Sequence, residues 1–438
     1  MGRGDCHSRI CKMKSEKIIA LVDCNAFYCS CERLFRPDLK NRPVGVLSNN
    51  DGCFVSRTNE LKKLGVPMGA PYFQYKDLCE KNQVAVFSAN FSLYTNISDR
   101  VMNTLFDFTP ILEVYSVDEA FLDLTGMNEK TILEYCREIK TTVERNTGIP
   151  VGIGVGRTKV LAKLANKMAK KDPQYQGVYS ALLDHDREHL LKSIDIEDVW
   201  GIGRQNSIKF KSMNIKKAID LRNFKNTHLI QKIFTITGRM IQDELNEIQC
   251  FPINEEAAKK KEILSSRTFG VPVFDYHMLA ESVACYTSLA AEKLRKQKSV
   301  CGEISVYVRT NPYKEVPQYG CSRHLTLTSP TCDTRKLINA ALSILKEIYR
   351  PGFEYKKAGI HLSKLSDQAE YQVSLFGAYD TEKDLALMYT MDKINEREGQ
   401  EMLKSAACGV NKAAWYMKQV LKSPRYVTGF NELLKIKT

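Results

Sequence analysis

The chain has 438 residues, enough for two to four domains each with its own core, and its 43% hydrophobic and 26% charged residues are those of a globular protein. Against 51 Asp and Glu, 64 Lys and Arg leave a formal charge of +13, which favours a polyanionic partner, because cations that neutralise phosphates release condensed counterions. No apolar run reaches the roughly 18 residues of a membrane span and no long basic amphipathic stretch suits a membrane surface, so nucleic acid is the expected polyanion. The 14 cysteines are scattered without zinc-knuckle spacing and no secretory signal precedes them. They read as reduced thiols of a cytoplasmic protein.

Residues 1–16 are polar, basic and without periodicity, and read as a disordered leader, with Met13 as an alternative start. The run Lys17-Ile-Ile-Ala-Leu-Val22 predicts a short buried strand that ends in the carboxylate of Asp23 and bends into a helix carrying Phe27 and Tyr28. Those aromatics suit either the packing of a sugar or base beside a phosphate-transfer centre or an ordinary helix core. Strands follow at 43–47 and 54–57, joined by the turn-rich Ser48-Asn-Asn-Asp-Gly-Cys53, and a helix at 58–64 is stopped by Gly65-Val-Pro67. Arg57, Lys62 and Lys63 give this small lobe a charge suited to a triphosphate or to a solvated helix face.

A helix at 91–106 leads into Ile111-Leu-Glu-Val-Tyr-Ser-Val-Asp-Glu-Ala-Phe-Leu-Asp-Leu124, a predicted hairpin with Asp118 and Glu119 at or near its turn. An acid pair there is by itself ordinary turn chemistry. Joined to Asp23 at the end of a core strand, it is also a common way to hold two Mg²⁺ for phosphoryl or nucleotidyl transfer. A helix at 130–146, a strand at 149–155 and a basic helix at 157–171 complete an α+β core of the split βαβ type, a pattern that polymerase palms share with nucleotidyl cyclases. Gly152, Gly154 and Gly156 lack dinucleotide-loop spacing and instead permit close packing or DNA approach.

Asp198-Val-Trp-Gly-Ile-Gly203 and the two helices predicted after it form a helix-hairpin-helix pattern. In it the turn amides at Gly201 and Gly203 suit a phosphate, and Arg204, Lys209 and Lys211 add charge. The charged run 255–262 reads as linker. Beyond it, strands at 265–270, 301–309, 324–327 and 357–362 with helices at 277–296 and 334–350 predict a second α+β unit, along whose strands Arg267, Arg309 and Arg323 are expected to track a nucleic-acid backbone. Gln372-Val-Ser-Leu-Phe376 offers an exposed Leu-Phe anchor for a partner's groove. The segment 385–438 reads as helical and basic in part and contains Ser423-Pro-Arg-Tyr-Val427.

From about Ile18 to the C-terminus the chain resembles the Y-family translesion DNA polymerases, and within them the UmuC subfamily, the catalytic subunits of bacterial DNA polymerase V. The resemblance is carried by Val22-Asp-Cys-Asn-Ala-Phe-Tyr28, Leu47-Ser-Asn-Asn-Asp-Gly-Cys53, Tyr115-Ser-Val-Asp-Glu-Ala-Phe121, Lys163-Leu-Ala-Asn166, Val199-Trp-Gly-Ile-Gly-Arg204, Ser266-Arg-Thr-Phe-Gly270 and Ser423-Pro-Arg-Tyr426.

The resemblance implies a multidomain α+β right hand: a ferredoxin-like palm at 17–26 and 90–177, small fingers at 27–89, and a helical thumb with the helix-hairpin-helix at 178–250. A linker at 251–262 would then lead to an α+β little finger at 263–366 and a C-terminal region at 367–438. It implies that Asp23 and Asp118 bridge two Mg²⁺ ions, that Glu119 ligates the ion activating the primer 3′-hydroxyl, and that the Cys24 carbonyl completes the other. Phe27 and Tyr28 would line the nucleotide, Tyr28 as steric gate against a ribose 2′-hydroxyl, with Lys62 and Lys170 gripping the triphosphate. Asn59 stands where many members have a phosphate-binding tyrosine. Gly201, Gly203, Arg204, Arg267 and Arg309 would contact DNA, and Gln372, Leu375 and Phe376 the sliding clamp.

The implied function is error-prone synthesis across damaged template in the bacterial SOS response. The substrates would be primer-template DNA and deoxynucleoside triphosphates; a cleaved UmuD-type dimer, a RecA filament and the clamp would be partners, and the active enzyme would sit at the nucleoid. An accessory DNA-binding protein with a degenerate centre is the alternative; intact Asp23, Asp118, Glu119 and Tyr28 argue against it. A cyclase would have no use for the helical hairpin or the basic second unit.

Overall fold

The computed structural model describes residues 16–254, 259–370, 380–399, 401–410, 415–427 and 432. Most of the expected leader, half of the charged run 255–262, and Gln372, Leu375 and Phe376 lie outside the described residues. The chain divides into two compact units, one of residues 1–46, 54–257 and 422–438, the other of 47–53 and 258–421.

The first unit begins with β1 (Ile19–Cys24) and α1 (Phe27–Leu34), then β2 (Val44–Leu47), β3 (Phe54–Arg57), α2 (Asn59–Lys63), α3 (Tyr72–Lys81) and β4 (Ala85–Ser88). Next come α4 (Phe91–Phe106), β5 (Leu112–Val114), β6 (Glu119–Asp123), α5 (Ile132–Thr147), β7 (Val151–Gly156), α6 (Lys159–Lys171) and β8 (Val178–Ser180). Five strands form a sheet in the order β5-β6-β1-β7-β8, antiparallel except for β7–β8. β1 is covered on both faces, which is why it reads as an apolar run without polar alternation. Ala20, Val22 and Cys24 pack with Ile97 and Val101 of α4 and Ile139 and Val143 of α5. Ile19 and Leu21 share the opposite face with Phe121 and Ala162 of α6. Each fully buried Ile, Leu or Val contributes roughly 1.5–3 kcal/mol.

Because side chains alternate along a strand, Asp23 shares the α6 face with Ile19 and Leu21, and Glu119 shares it with Phe121. The glycine series of β7 makes that face shallow. A Cβ on Gly154 would lie 2.0 Å from the Asn166 amide nitrogen and 2.3 Å from the Ala162 carbonyl oxygen, and one on Gly156 would lie 2.7 Å from Leu161 Cβ. Of the two readings open for these glycines, close packing is the one realised at 154 and 156.

The first unit continues with α7 (Asp184–Ser193), α8 (Arg204–Ser212), α9 (Ala218–Asn223) and α10 (Thr227–Leu245), which bury Leu190, Phe210, Leu221 and Ile230 in a core shared with α6. Two early elements gave little sequence signal. α3 buries Cys79 alone, so it lacks an apolar stripe, and β8 is only three residues long.

The second unit contains β9 (Ile263–Val273), α11 (Tyr276–Lys296), β10 (Ser299–Thr310), β11 (Gly320–Thr331), α12 (Thr334–Ile348) and β12 (Tyr355–Asp367). Its sheet runs β11-β10-β12-β9, antiparallel throughout, with α11 and α12 packed on the strand residues Ile304, Val306, Val308, Ala358 and Ile360. β11 is an edge strand of mostly exposed residues, so its length exceeds the apolar core 324–327 visible in the sequence. The loop 47–53 belongs to this unit: Asn50 Nδ2 donates to the Thr268 carbonyl at 2.7 Å, and the Lys418 amide donates to Asn50 Oδ1 at 2.8 Å.

α13 (Glu382–Glu398) starts with a Thr381–Asp384 capping box and stops at Gly399, whose φ of 118° no helix continues through. Among the described residues the helical reading of 385–438 therefore holds to residue 398, and beyond it 3₁₀ geometry occurs at Ala406–Cys408 and at Glu432. Among the described residues no helix is long and apolar enough to cross a membrane.

Candidate active site

Asp23 and Glu119 are directly paired across β1 and β6, and the Cys24 amide donates to the Asp118 carbonyl at 2.8 Å, so pairing of the first strand with the hairpin brings all three acids together. On the far side of β1, Asp23 faces Gly152. α6 presents Lys163 and Lys170, seven residues apart and thus on one helix face, to these acids. Lys170 pairs with Asp23, and Lys163 with Glu119 at 2.9 Å. Asp118 accepts from Ser116 Oγ at 2.6 Å.

Burial raises the Asp23 carboxyl from its ordinary range to about 6; Lys170 opposes the rise by charge and hydrogen bond, while Glu119 and Asp118 add to it. Glu119 and Asp118 thus make Asp23 harder to ionise, a donor set that a divalent cation would relieve. The oxygens also suit a hard cation such as Mg²⁺. Burial and the neighbouring carboxylates push the Cys24 thiol above its ordinary value, so it is held as a thiol and only its carbonyl suits such an ion. Among the described residues no three His, Cys, Asp or Glu side chains already converge as a ligand cluster. Here the acids turn instead to Lys170, Lys163 and Ser116.

The bend between β1 and α1 passes through Ala26 in left-handed conformation (φ 45°), rare for a residue with a Cβ, and is held by Ser30 Oγ donating to the Asn25 carbonyl at 2.7 Å. It sends Phe27 into the core, 3% exposed, where its ring has no face left for a nucleotide. Tyr28 is half-buried beside the acids. Its hydroxyl is held protonated by burial and by the charge of Asp118, and its ring stacks on Tyr94 at 4.5 Å.

A cleft of about 550 Å³ adjoins Asp23's partner Lys170 and is lined by Arg33, Asn59, Lys62 and Lys140. Lys62 Nζ donates to Asn59 Oδ1 at 3.3 Å. Sequence reasoning had no place for Arg33 and Lys140 here, since one sits in α1 and the other in α5, far apart along the chain.

In the helical hairpin Gly201 takes φ 87°, and Gly203 caps α8, leaving Arg204 exposed. The Ile202 amide is taken by the Val199 carbonyl at 3.0 Å, so the turn amides are not all open to a phosphate. In the second unit the three arginines are not on one face. Arg309 is in register with Lys357, on the sheet face away from the helices, whereas Arg267 is in register with Ala358, which packs towards α11. Arg323 aligns with the buried Val306 and pairs with Glu347 of α12 at 2.5 Å. The reading of a common surface is thus corrected to Arg309 with Lys357. The β9–β12 register breaks between Tyr355 and Lys357, where Tyr355 faces Val273 and Lys357 faces Thr268, an irregularity that the sequence does not announce.

Lys163 went unassigned as a site residue in the sequence, although its motif was visible. Its ammonium lies 4.3 Å from the Tyr115 ring centroid and 4.9 Å from that of Trp200, joining the hairpin, α6 and the helical hairpin in one cation–π box.

The fold is that of the Y-family DNA polymerases. Among solved structures, a Dbh–Dpo4 chimera of Y-family DNA polymerases matches 80% of this chain and 99% of its own with a TM-score of 0.63 at 22% identity. An insertion ternary complex of Dbh DNA polymerase matches with a TM-score of 0.52 at 21% identity, over 80% of this chain and 99% of its own. The chain belongs to the impB/mucB/samB family, whose model matches residues 22–167 and whose C-terminal domain matches 260–375. The UmuC protein of Salmonella typhimurium strain LT2 is 43% identical over 96% of this chain and all of its own length, and the MucB protein of Escherichia coli is 37% identical over 95% and 99%. A domain of unknown function (DUF4113) matches residues 386–436.

Proposed function

We infer that the chain is an error-prone, template-directed DNA polymerase that extends primers across damaged bases in the SOS response, by nucleotidyl transfer. The observation that carries this is the pairing of Asp23 with Glu119, with Asp118 beside them, on the face that α6 supplies with Lys163 and Lys170. Full-length likeness to the UmuC and MucB proteins supports it.

Asp23, Asp118, Glu119 and the Cys24 carbonyl would hold two Mg²⁺. Bound there, the ions supply a lowered pKa for the attacking 3′-hydroxyl and charge stabilisation at the α-phosphate and the leaving pyrophosphate. The chain's own cations act around them. Lys170 leaves Asp23 for the triphosphate, which Lys62 and Arg33 also face across the cleft. Lys163, held by its aromatic box, keeps Glu119 in place. Arg204 of the helical hairpin and Arg309 of the second sheet bind DNA phosphates, with Gly201 and Gly203 letting the backbone approach.

Primer extension across an abasic template with Mg²⁺, with and without a UmuD-type dimer and RecA filament, tests the reading. Extension is expected, increased by the partners; tight DNA binding without extension in any combination would make the protein an accessory DNA-binding protein instead. The enzyme works in the cytoplasm at the nucleoid.

Tyr28 is the sugar gate, its ring filling the space of a 2′-hydroxyl. Tyr28→Ala is expected to raise ribonucleotide insertion relative to deoxynucleotide insertion about a hundredfold, which is about 2.7 kcal/mol of lost discrimination. Unchanged sugar selectivity in single-nucleotide kinetics would remove that role. Gln372, Leu375 and Phe376 bind the sliding clamp. Alanine at both 375 and 376 is expected to weaken clamp binding at least about tenfold, the scale of an anchor side chain, with clamp-free synthesis retained; equal clamp affinity in a binding titration would reject the assignment.

A further inference from the structure

The C-terminal residues 422–427 lie in the first unit, against the helices behind Tyr28. Ser88 forms a parallel bridge with Lys422, and Tyr426 stacks on Phe35 with ring centroids 4.5 Å apart and planes within 5°. Between these two anchors Ser423 is buried, and its hydroxyl donates to Glu32 Oε1 at 3.1 Å while accepting from Asn90 Nδ2 at 3.0 Å. Glu32 is fully buried, one helical turn after Tyr28 on α1. Its Oε1 also accepts from the Tyr94 hydroxyl at 2.7 Å, and its Oε2 has no partner among the described residues. Tyr94 is the ring on which Tyr28 stacks, with planes 15° apart.

A buried carboxyl held by two hydroxyl donors at one oxygen and by nothing at the other has few alternatives if one donor is removed. Burial already raises Glu32 to about 7 in spite of the Tyr94 and Ser423 hydrogen bonds. Tyr94 in turn is fixed at its hydroxyl end by this carboxyl alone among the described residues, so its tilt follows Glu32. Among the described residues Tyr28 has no such anchor of its own. Phe91 and Phe27 touch its ring at an edge or a tilt, and among the described residues only Tyr94 offers it a flat face.

We propose that the turn at Ser423–Tyr426 is a positioning element for sugar selection: Ser423 fixes Glu32, Glu32 fixes Tyr94, and Tyr94 sets the height of the Tyr28 ring. This rests on the reading of Tyr28 as the gate. It gives the C-terminal part of the domain of unknown function a role in nucleotide choice.

The experiment measures kcat/KM for one deoxynucleotide and its ribonucleotide opposite the same template base, together with thermal unfolding, in the full-length protein. Ser423→Ala removes one hydroxyl and is expected to relax the deoxy-to-ribo ratio about five- to tenfold, the scale of one missing hydrogen bond, with deoxynucleotide insertion near wild type. Ser423→Thr, which keeps the hydroxyl, is expected to restore the ratio, and Glu32→Leu to relax it further than Ser423→Ala. A purely structural role would lower the melting temperature and both insertion rates together and leave their ratio alone. If Tyr28→Ala relaxes the ratio and Ser423→Ala does not, the positioning role is overturned; if Tyr28→Ala itself leaves the ratio unchanged, the gate reading fails instead.

Discussion

Asp118→Ala is expected to lower primer extension by at least about a thousandfold, near 4 kcal/mol of transition-state stabilisation, with DNA binding near wild type and no fall in melting temperature. The stability half of this expectation follows from the charges. Asp118 and Glu119 both raise the Asp23 carboxyl, so deleting one acid removes a repulsion that folding otherwise has to hold in place. The local cost is small, because Ser116 Oγ still accepts from the Glu119 amide at 3.1 Å once Asp118 is no longer its acceptor. Asp118→Asn should behave alike, since it keeps the shape and removes the charge that holds a cation. Single-turnover extension beside a thermal melt checks both halves: activity within about tenfold of wild type would move the chemistry away from this acid, and a marked loss of melting temperature would make Asp118 structural.

The acids were legible in the sequence because each sits where an apolar strand-like run meets a turn, a signal confined to a few residues. What was not legible is carried by contacts between distant segments. Lys163 and Lys170 belong to a helix whose basic face could as well have met solvent, and only the packing of α6 on β1 and β7 turns that face to Asp23 and Glu119. Phe27 and Tyr28 are adjacent and alike in chemistry, yet the left-handed Ala26 sends one into the core and leaves the other beside the acids. The contact of Ser423 with Glu32 spans 391 residues and leaves no local trace. Among the described residues the helical reading of the C-terminal segment stops early for the opposite reason. Its local propensity was real up to residue 398, but Gly399 ends the helix, and Lys422 beyond it is held by a bridge to Ser88 rather than by a helix of its own.

Gly154→Val is expected to lower stability by about 3 kcal/mol or more, the upper range for overpacking, and to take activity with it. The atoms that a Cβ would meet first are the Asn166 amide nitrogen at 2.0 Å and the Ala162 carbonyl oxygen at 2.3 Å, and backbone has no rotamer by which to step aside. α6 would have to withdraw from β7, and with it Lys163 and Lys170, so the folded fraction should also lack the pairs with Glu119 and Asp23. Gly152→Ala offers the contrast. Its new Cβ would meet the flexible Lys170 side chain, Cε at 2.8 Å and Cγ at 3.2 Å, before any backbone atom. That variant should melt near wild type while its KM for the incoming nucleotide rises, because Lys170 is displaced from the cleft it shares with Lys62. Chemical denaturation and steady-state kinetics on the two variants separate the packing role of one glycine from the charge-placing role of the other. A Gly154→Val protein as stable as wild type would show that α6 does not depend on the bare strand, and the account of how the lysines reach the acids would have to be abandoned.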